Sequence, residues 1–92
     1  MKVKICGMTR EKDIASALAA GVDFLGFNFI KQSPRYVNFE WSIDMAKKYH
    51  LDRKFVSLFN SAEEKKIKKL EQILPESVLQ YYGDLPFLTT LS

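Results

Sequence analysis

Cysteine is nearly absent from this 92-residue chain, which has a single thiol at Cys6. One cysteine cannot form an intrachain disulfide, so we expect a free thiol in a reducing compartment. No apolar run approaches the roughly 20 residues that span a bilayer, and the start lacks the apolar stretch of about 7–15 residues found in secretory signals. These absences predict a cytoplasmic protein without membrane contact, and they leave chemistry at Cys6 open.

Histidine and glycine are also scarce. The only histidine, His50, has no cysteine, histidine or carboxylate cluster at metal-ligand spacing, so no metal site is predicted. The four glycines do not form a phosphate-binding loop with GxGxxG or GxxxxGK[ST] spacing, and nucleotide binding is therefore not expected.

An excess of charge of one sign is missing too. Lys and Arg number 14 against 11 Asp and Glu, a net charge of +3. The one dense basic run, at 65–69, is surrounded by glutamates and has no interleaved aromatic residues, which is typical of a solvated helix face. We therefore expect no nucleic-acid partner.

Strand-like and helix-like segments alternate in a composition that is 47% hydrophobic. Predicted strands cover residues 2–6, 24–30, 54–59 and 77–81. Three helices lie between them, with Thr9, Asn38 and Ser61 as predicted caps, and residues 85–92 form either one helical turn or an irregular tail. The order βαβαβαβ predicts a parallel sheet with right-handed crossovers, in one domain over residues 1–92.

Four motifs follow one another in the order found in a known family. They are KICGMTR at 4–10, GVDFLGFNF at 21–29, KQSPRYV at 31–37 and LQYYGD at 79–84. The chain resembles the phosphoribosylanthranilate isomerases, which are (βα)8 barrels of tryptophan biosynthesis. The resemblance implies an Amadori rearrangement of N-(5-phosphoribosyl)anthranilate to 1-(2-carboxyphenylamino)-1-deoxyribulose 5-phosphate, a phosphorylated small-molecule substrate, with neither metal nor organic cofactor.

The resemblance covers the amino-terminal portion of such a barrel, about three and a half βα units. In the family, an Asp after the fifth strand is the general acid, and loops after the seventh and eighth strands bind phosphate. We therefore expect a truncated barrel domain that is inactive alone. The alternative is a non-catalytic half-barrel module, because an open sheet has two unpaired edges and an apolar inner face that self-association or a separate second half would cover.

Cys6 and Arg35 are the principal site candidates. In the family the cysteine that matches Cys6 is the general base, and a nearby Lys4 would favour its thiolate. The alternative is a buried, inert cysteine. By resemblance Arg35 binds the anthranilate carboxylate through its planar guanidinium; the alternative is an exposed arginine paired with an acid.

Two amide residues, Asn28 and Gln80, are secondary candidates for substrate binding at the barrel mouth. Each lies near the end of a predicted strand, where a polar side chain satisfying a neighbour is an equally good interpretation. Tyr82 is a departure from the family, which usually has histidine there. A tyrosine can donate a hydrogen bond or stack on a ring, but it does not titrate near neutrality as imidazole does.

Overall fold

The computed structural model describes residues 2–60 and 63–81, and within them strands and helices alternate. The strands are β1 (Lys4–Ile5), β2 (Phe24–Asn28), β3 (Phe55–Phe59) and β4 (Val78–Tyr81), and the helices are α1 (Glu11–Ala19), α2 (Phe39–Lys48) and α3 (Glu64–Ile73). All neighbouring strands are parallel, in the order β1-β2-β3-β4. The predicted βαβαβαβ arrangement of a partial barrel is confirmed.

Helix α2 begins where its sequence predicts. Asn38 is the N-cap, and its side-chain oxygen accepts a hydrogen bond from the Trp41 backbone N–H at 3.0 Å. Lys47 and Lys48 lie in the last turn, where positive charge interacts favourably with the helix dipole. At the end of α1, Gly21 has a φ of +79°, the left-handed conformation that commonly terminates helices. Local signals therefore set both of these ends.

One predicted cap, at Thr9, differs from the structure, and another lies outside the described residues. Helix α1 is preceded by Arg10, not by Thr9, and its N-cap makes no side-chain bond; Arg10 instead pairs with Asp13, with Nε and Oδ2 at 3.0 Å. Helix α3 begins at Glu64 with Glu63 as N-cap, again without a side-chain bond. The predicted cap at Ser61 lies outside the described residues, as do Tyr82 and residues 85–92.

The hydrophobic core lies between the sheet and its helices. The ring of Phe27 on β2 stacks on that of Phe55 on β3, with centroids 4.4 Å apart. The rings of Phe29 and Phe59 lie 5.2 Å apart in the same layer. All four rings are buried, and burial of aromatic rings is the largest single source of stabilisation that side chains provide. The helix side of the sheet therefore stabilises the fold.

Side chains on the opposite, concave face alternate with those of the core. Gly26, Val56 and Val78 share one row across β2, β3 and β4. The ammonium of Lys4 on β1 donates to Oε1 of Gln80 on β4 at 2.8 Å. In a flat sheet, strands three positions apart lie roughly 14 Å from each other. The contact thus joins the two edge strands across the concave face, as expected for a sheet that curves.

Three of the four lysines in the basic run at 65–69 contact a glutamate. Lys66 contacts Glu63 at 3.1 Å, Lys68 contacts Glu64 at 3.7 Å, and Lys69 of α3 contacts Glu40 of α2 at 3.4 Å. This is the charge-balanced face predicted from the sequence. None of the helices in residues 2–60 and 63–81 is long and apolar enough to cross a membrane.

Candidate active site

The turn after β1 positions Cys6 at the carboxyl end of the sheet. The next residue, Gly7, has a φ of +80°, which glycine adopts without the steric penalty of a side chain. The backbone N–H groups of Gly7 and Met8 both donate to the Gly26 carbonyl oxygen, each at 3.0 Å. One carbonyl on β2 thus holds the turn in place and with it Cys6, which is half-buried.

Gly26 also leaves the space that the Cys6 side chain occupies. A Cβ at position 26 would lie 3.1 Å from the Cα of Cys6, 3.3 Å from its Sγ and 3.4 Å from Cδ1 of Leu58. The thiol therefore lies on the concave face, over the strand beside its own. Gly26 lies within the predicted strand 24–30 and was not singled out from the sequence. A glycine inside a buried strand does signal a close approach, although it does not say of what.

Arg35, from the loop between β2 and α2, lies directly over this turn. A Cβ at Gly7 would be 2.4 Å from Cδ of Arg35, and Nη1 of Arg35 is 3.5 Å from the Cys6 carbonyl oxygen. The structure therefore brings together the two principal candidates, which are 29 residues apart in sequence. Within the described part of the chain, no carboxylate forms an ion pair with Arg35, so the predicted alternative of an acid-paired arginine is not observed there.

The amide of Asn28 is engaged by the same loop. Its Oδ1 accepts from the Ile30 N–H at 2.9 Å, and its Nδ2 donates to Oγ of Ser33 at 3.2 Å. Ser33 Oγ also accepts from the Arg35 backbone N–H at 3.1 Å. Asn28 and Ser33 thus hold the backbone from which the Arg35 side chain extends. Ser33 was not singled out from the sequence, because a serine before proline in a loop has no distinctive pattern.

Lys4 and Gln80 contact each other on the concave face. The bond from Lys4 Nζ to Gln80 Oε1 occupies one of the three ammonium donors and the amide oxygen. Gln80 therefore competes with the Cys6 thiolate for the Lys4 ammonium, which the sequence predicted to assist that thiolate. The amide nitrogen is the group through which Gln80 could donate to a ligand.

The titratable groups with shifted pKa values lie away from Cys6, where α1 meets α2. Hydrogen bonds from Lys48 and from the Tyr49 hydroxyl lower the pKa of Glu11. The bond to Glu11 raises the pKa of Lys48 and of Tyr49. These groups join two helices and do not contact the candidate site. In the ranges 2–60 and 63–81, no three His, Cys, Asp or Glu side chains are grouped so that they could hold a metal ion.

The arrangement brings the Arg35 guanidinium to the backbone of Cys6, at the carboxyl end of the sheet. The thiol, once ionised, can accept a proton from carbon. The guanidinium can bind a carboxylate through two parallel hydrogen bonds.

Comparison with known proteins finds relatives of one kind. The chain is 39% identical over 83 residues to N-(5'-phosphoribosyl)anthranilate isomerase of Dechloromonas aromatica strain RCB, an alignment that covers 90% of this chain and 40% of that protein. The chain thus spans about 40% of the length of the curated relatives it matches. No family model matches it.

Solved structures agree with the sequence relatives. Phosphoribosyl anthranilate isomerase from Thermus thermophilus superimposes with a TM-score of 0.74 at 30% identity, over 94% of this chain and 43% of that one. A structure of the same kind of enzyme, in complex with reduced 1-(o-carboxyphenylamino)-1-deoxyribulose 5-phosphate, has a TM-score of 0.77 at 28% identity, over 94% of this chain and 44% of its own. The strands described here thus match part of an (βα)8 barrel.

Proposed function

We propose, from the premise that the chain belongs to the phosphoribosylanthranilate isomerase family, that it supplies one wall of an isomerase active site. In this wall Cys6 is the general base, and Arg35 binds the carboxylate of the substrate N-(5-phosphoribosyl)anthranilate. The contact of Arg35 with Gly7 and with the Cys6 carbonyl is the observation that carries the proposal. This contact supports a carboxylate-binding role for Arg35 close to the candidate base.

The reaction isomerises the substrate without a net change of atoms. Protonation of the ribose ring oxygen opens the ring and gives a Schiff base between the anthranilate nitrogen and C1. Cys6, as a thiolate, then takes the proton from C2. The electrons of the C–H bond form a C1=C2 double bond while the C=N electrons return to the anthranilate nitrogen, and the resulting enol tautomerises to the C2 ketone. The group that protonates the ring oxygen comes from outside residues 2–60 and 63–81 in this proposal. So do the groups that bind the phosphate.

Asn28 and Gln80 have different parts in the proposal. Asn28 shapes the loop that holds Arg35, because both ends of its amide are bonded within that loop. Gln80 reaches the concave face from β4, where it contacts Lys4. Direct contact of either residue with the substrate stays a prediction.

The strands that close the barrel are the partner that this chain needs. Edge strand β1 is poorly covered, since Ile5 is 37% exposed and Val3, just before the strand, is 48% exposed. On the other edge, all four residues of β4 are only half-buried. Within residues 2–60 and 63–81, β1 and β4 each pair with a strand on one side only, which favours association with further parallel strands. This observation also supports the second candidate function, a non-catalytic module that binds a second copy or a separate second half.

Protection of Cys6 from alkylation tests the site without requiring turnover. Anthranilate bound at Arg35 should slow the reaction of Cys6 with iodoacetamide, because the ring would lie over the thiol. Arg35→Gln should abolish this protection. The matched control is Arg53→Gln, which removes an exposed arginine that pairs with Glu76 instead. Anthranilate that gives no protection, or protection that survives Arg35→Gln, would contradict the proposal.

An isomerase assay tests whether the chain is inactive alone, and light scattering tests whether it associates with itself. We expect no turnover by the 92 residues alone, because acid catalysis and phosphate binding must contribute much of the transition-state stabilisation. Turnover that is lost in Cys6→Ala would overturn that expectation. A mass of one chain at micromolar concentration would exclude the self-associating module.

A further inference from the structure

Two glycines in this chain have the same backbone conformation in different surroundings. Gly7 has a φ of +80° and Gly21 a φ of +79°. A Cβ built at Gly21 would meet nothing within 4 Å. A Cβ at Gly7 would lie 2.4 Å from Cδ, 3.0 Å from Nη1 and 3.3 Å from Nε of Arg35. The positive φ favours glycine at both positions, but only Gly7 has a side chain lying over it.

The two ends of Arg35 are constrained in different ways. Its backbone N–H donates to Ser33 Oγ, so the Cα position is set by the loop. Its side chain is exposed, and its Nη1 contacts the Cys6 carbonyl at 3.5 Å. A methyl group at position 7 would therefore displace the flexible guanidinium and leave the loop in place. The guanidinium would then lose its contact with the Cys6 carbonyl oxygen.

We infer that Gly7 is a positioning residue for Arg35: the missing side chain at position 7 provides the surface on which the guanidinium rests beside Cys6. Because two-point recognition of a carboxylate depends on where the planar guanidinium stands, the surface at Gly7 sets the alignment of the bound aromatic acid relative to the thiol. The ligand part of this inference rests on the proposed function. The position of Arg35 does not.

The Arg35 side-chain Nε–H resonance in a proton–nitrogen NMR spectrum reports the position directly. We compare Gly7→Ala with Gly21→Ala, which imposes the same strained φ where the space is open. Gly7→Ala should shift the Arg35 resonance and remove its NOE contacts to residue 7, and Gly21→Ala should leave both as in the parent chain. An unchanged Arg35 resonance in Gly7→Ala would overturn the inference.

Titration with anthranilate, followed by the same spectra, tests the consequence. Gly7→Ala should weaken binding at least about tenfold relative to Gly21→Ala, because small misplacements of a positioning group are costly. Equal affinities in the two variants would overturn the inference. If the parent chain binds no anthranilate, the proposed function fails, while the shift of the Arg35 resonance still decides the role of Gly7.

The two variants must be folded for this comparison. If Gly7→Ala unfolds the chain, the double variant Gly7→Ala/Arg35→Ala decides the matter. Recovery of the fold on removal of the Arg35 side chain supports the inference, since the clash then has no other partner. A double variant that stays unfolded shows that Gly7 serves the backbone alone, and it overturns the inference.

Discussion

The two faces of the sheet use neighbouring residues of the same strands in opposite ways. On β2, Leu25 and Phe27 point towards the helices and are fully buried, and they pack in a layer of aromatic rings. On the other face, Gly26 makes room for Cys6, and Asn28 organises the loop that carries Arg35. The helix side stabilises the fold through the apolar area that it buries. The concave side positions Cys6 and Arg35 through close contacts and hydrogen bonds. Substitutions on the helix side should therefore lower the stability of the fold, whereas substitutions on the concave side should mainly displace Cys6 or Arg35.

The largest effect is expected on the helix side. Phe27→Ala should lower the free energy of unfolding by roughly 3–5 kcal/mol, because it removes a buried ring that stacks on Phe55 and leaves a cavity. Tyr36→Ala, at an exposed aromatic, should change it by less than about 0.5 kcal/mol. Denaturant unfolding followed by circular dichroism measures both. Similar costs in the two variants would mean that the aromatic layer is not the main source of stability.

Gly26→Ala should have the next largest effect, on the concave side. The added methyl group meets Cys6 and Leu58 at 3.1–3.4 Å, and crowding of this kind costs about 2 kcal/mol. It should also change the alkylation rate of Cys6, which Phe27→Ala should not do while the chain stays folded. In a Cys6→Ala background the cost of Gly26→Ala should shrink, because the contact with Sγ is gone. An unchanged cost would place the crowding at the backbone of Cys6.

Asn28→Ala should cost about 1 kcal/mol, since it removes the side-chain bonds to Ile30 and Ser33. Amide hydrogen exchange should accelerate at Ile30, whose N–H loses its acceptor. Asn60→Ala is the control: Asn60 follows the next strand and makes one exposed bond to Gln32, with nitrogen and oxygen 3.4 Å apart. If exchange at Ile30 is the same in both variants, Asn28 does not hold the loop.

The smallest effect concerns the exposed contact between α1 and α2. The pKa of Glu11 is lowered from 4.5 by hydrogen bonds from Lys48 and Tyr49. A carboxylate with a lowered pKa in the folded chain stabilises the fold above its ordinary value, and the contribution is lost as the pH falls below 4.5 and through the folded-state pKa.

Glu11→Gln should therefore flatten the acid side of the curve of unfolding free energy against pH, with only a slight change at neutral pH. Glu71→Gln, at an exposed carboxylate on α3, is the control. A curve for Glu11→Gln that keeps the acid slope of the parent would assign that slope to other carboxylates.

Sequence periodicity was sufficient to predict the helices and their buried residues on the helix side of the sheet. Residues such as Ile43 and Leu70 recur at helical spacing because they contact one continuous core, and they are buried as expected. The cap at Asn38 was predictable because its bond to Trp41 lies within three residues. The cap predicted at Thr9 was wrong because the turn before α1 is held from another strand, by the Gly26 carbonyl.

The concave side could be predicted only in part. Cys6 and Arg35 were identified from motif order, whereas the roles of Gly7 and Gly26 depend on contacts with residues about 20–30 positions away, which no local pattern records. Ser33 was missed for the same reason, because its hydroxyl matters only through Asn28 and Arg35. The identity of a chemical group can be read locally, but its position depends on contacts across the sheet.

The contact between Lys4 and Gln80 bears on assembly. It joins β1 and β4 across the concave face of the sheet. The four strands therefore have the curvature of a barrel wall. Strands that arrive at either edge meet a surface that needs little deformation, and less of the association free energy is lost to reshaping it. The curvature of the four strands would in this way act as a template for any further strands that add to the sheet.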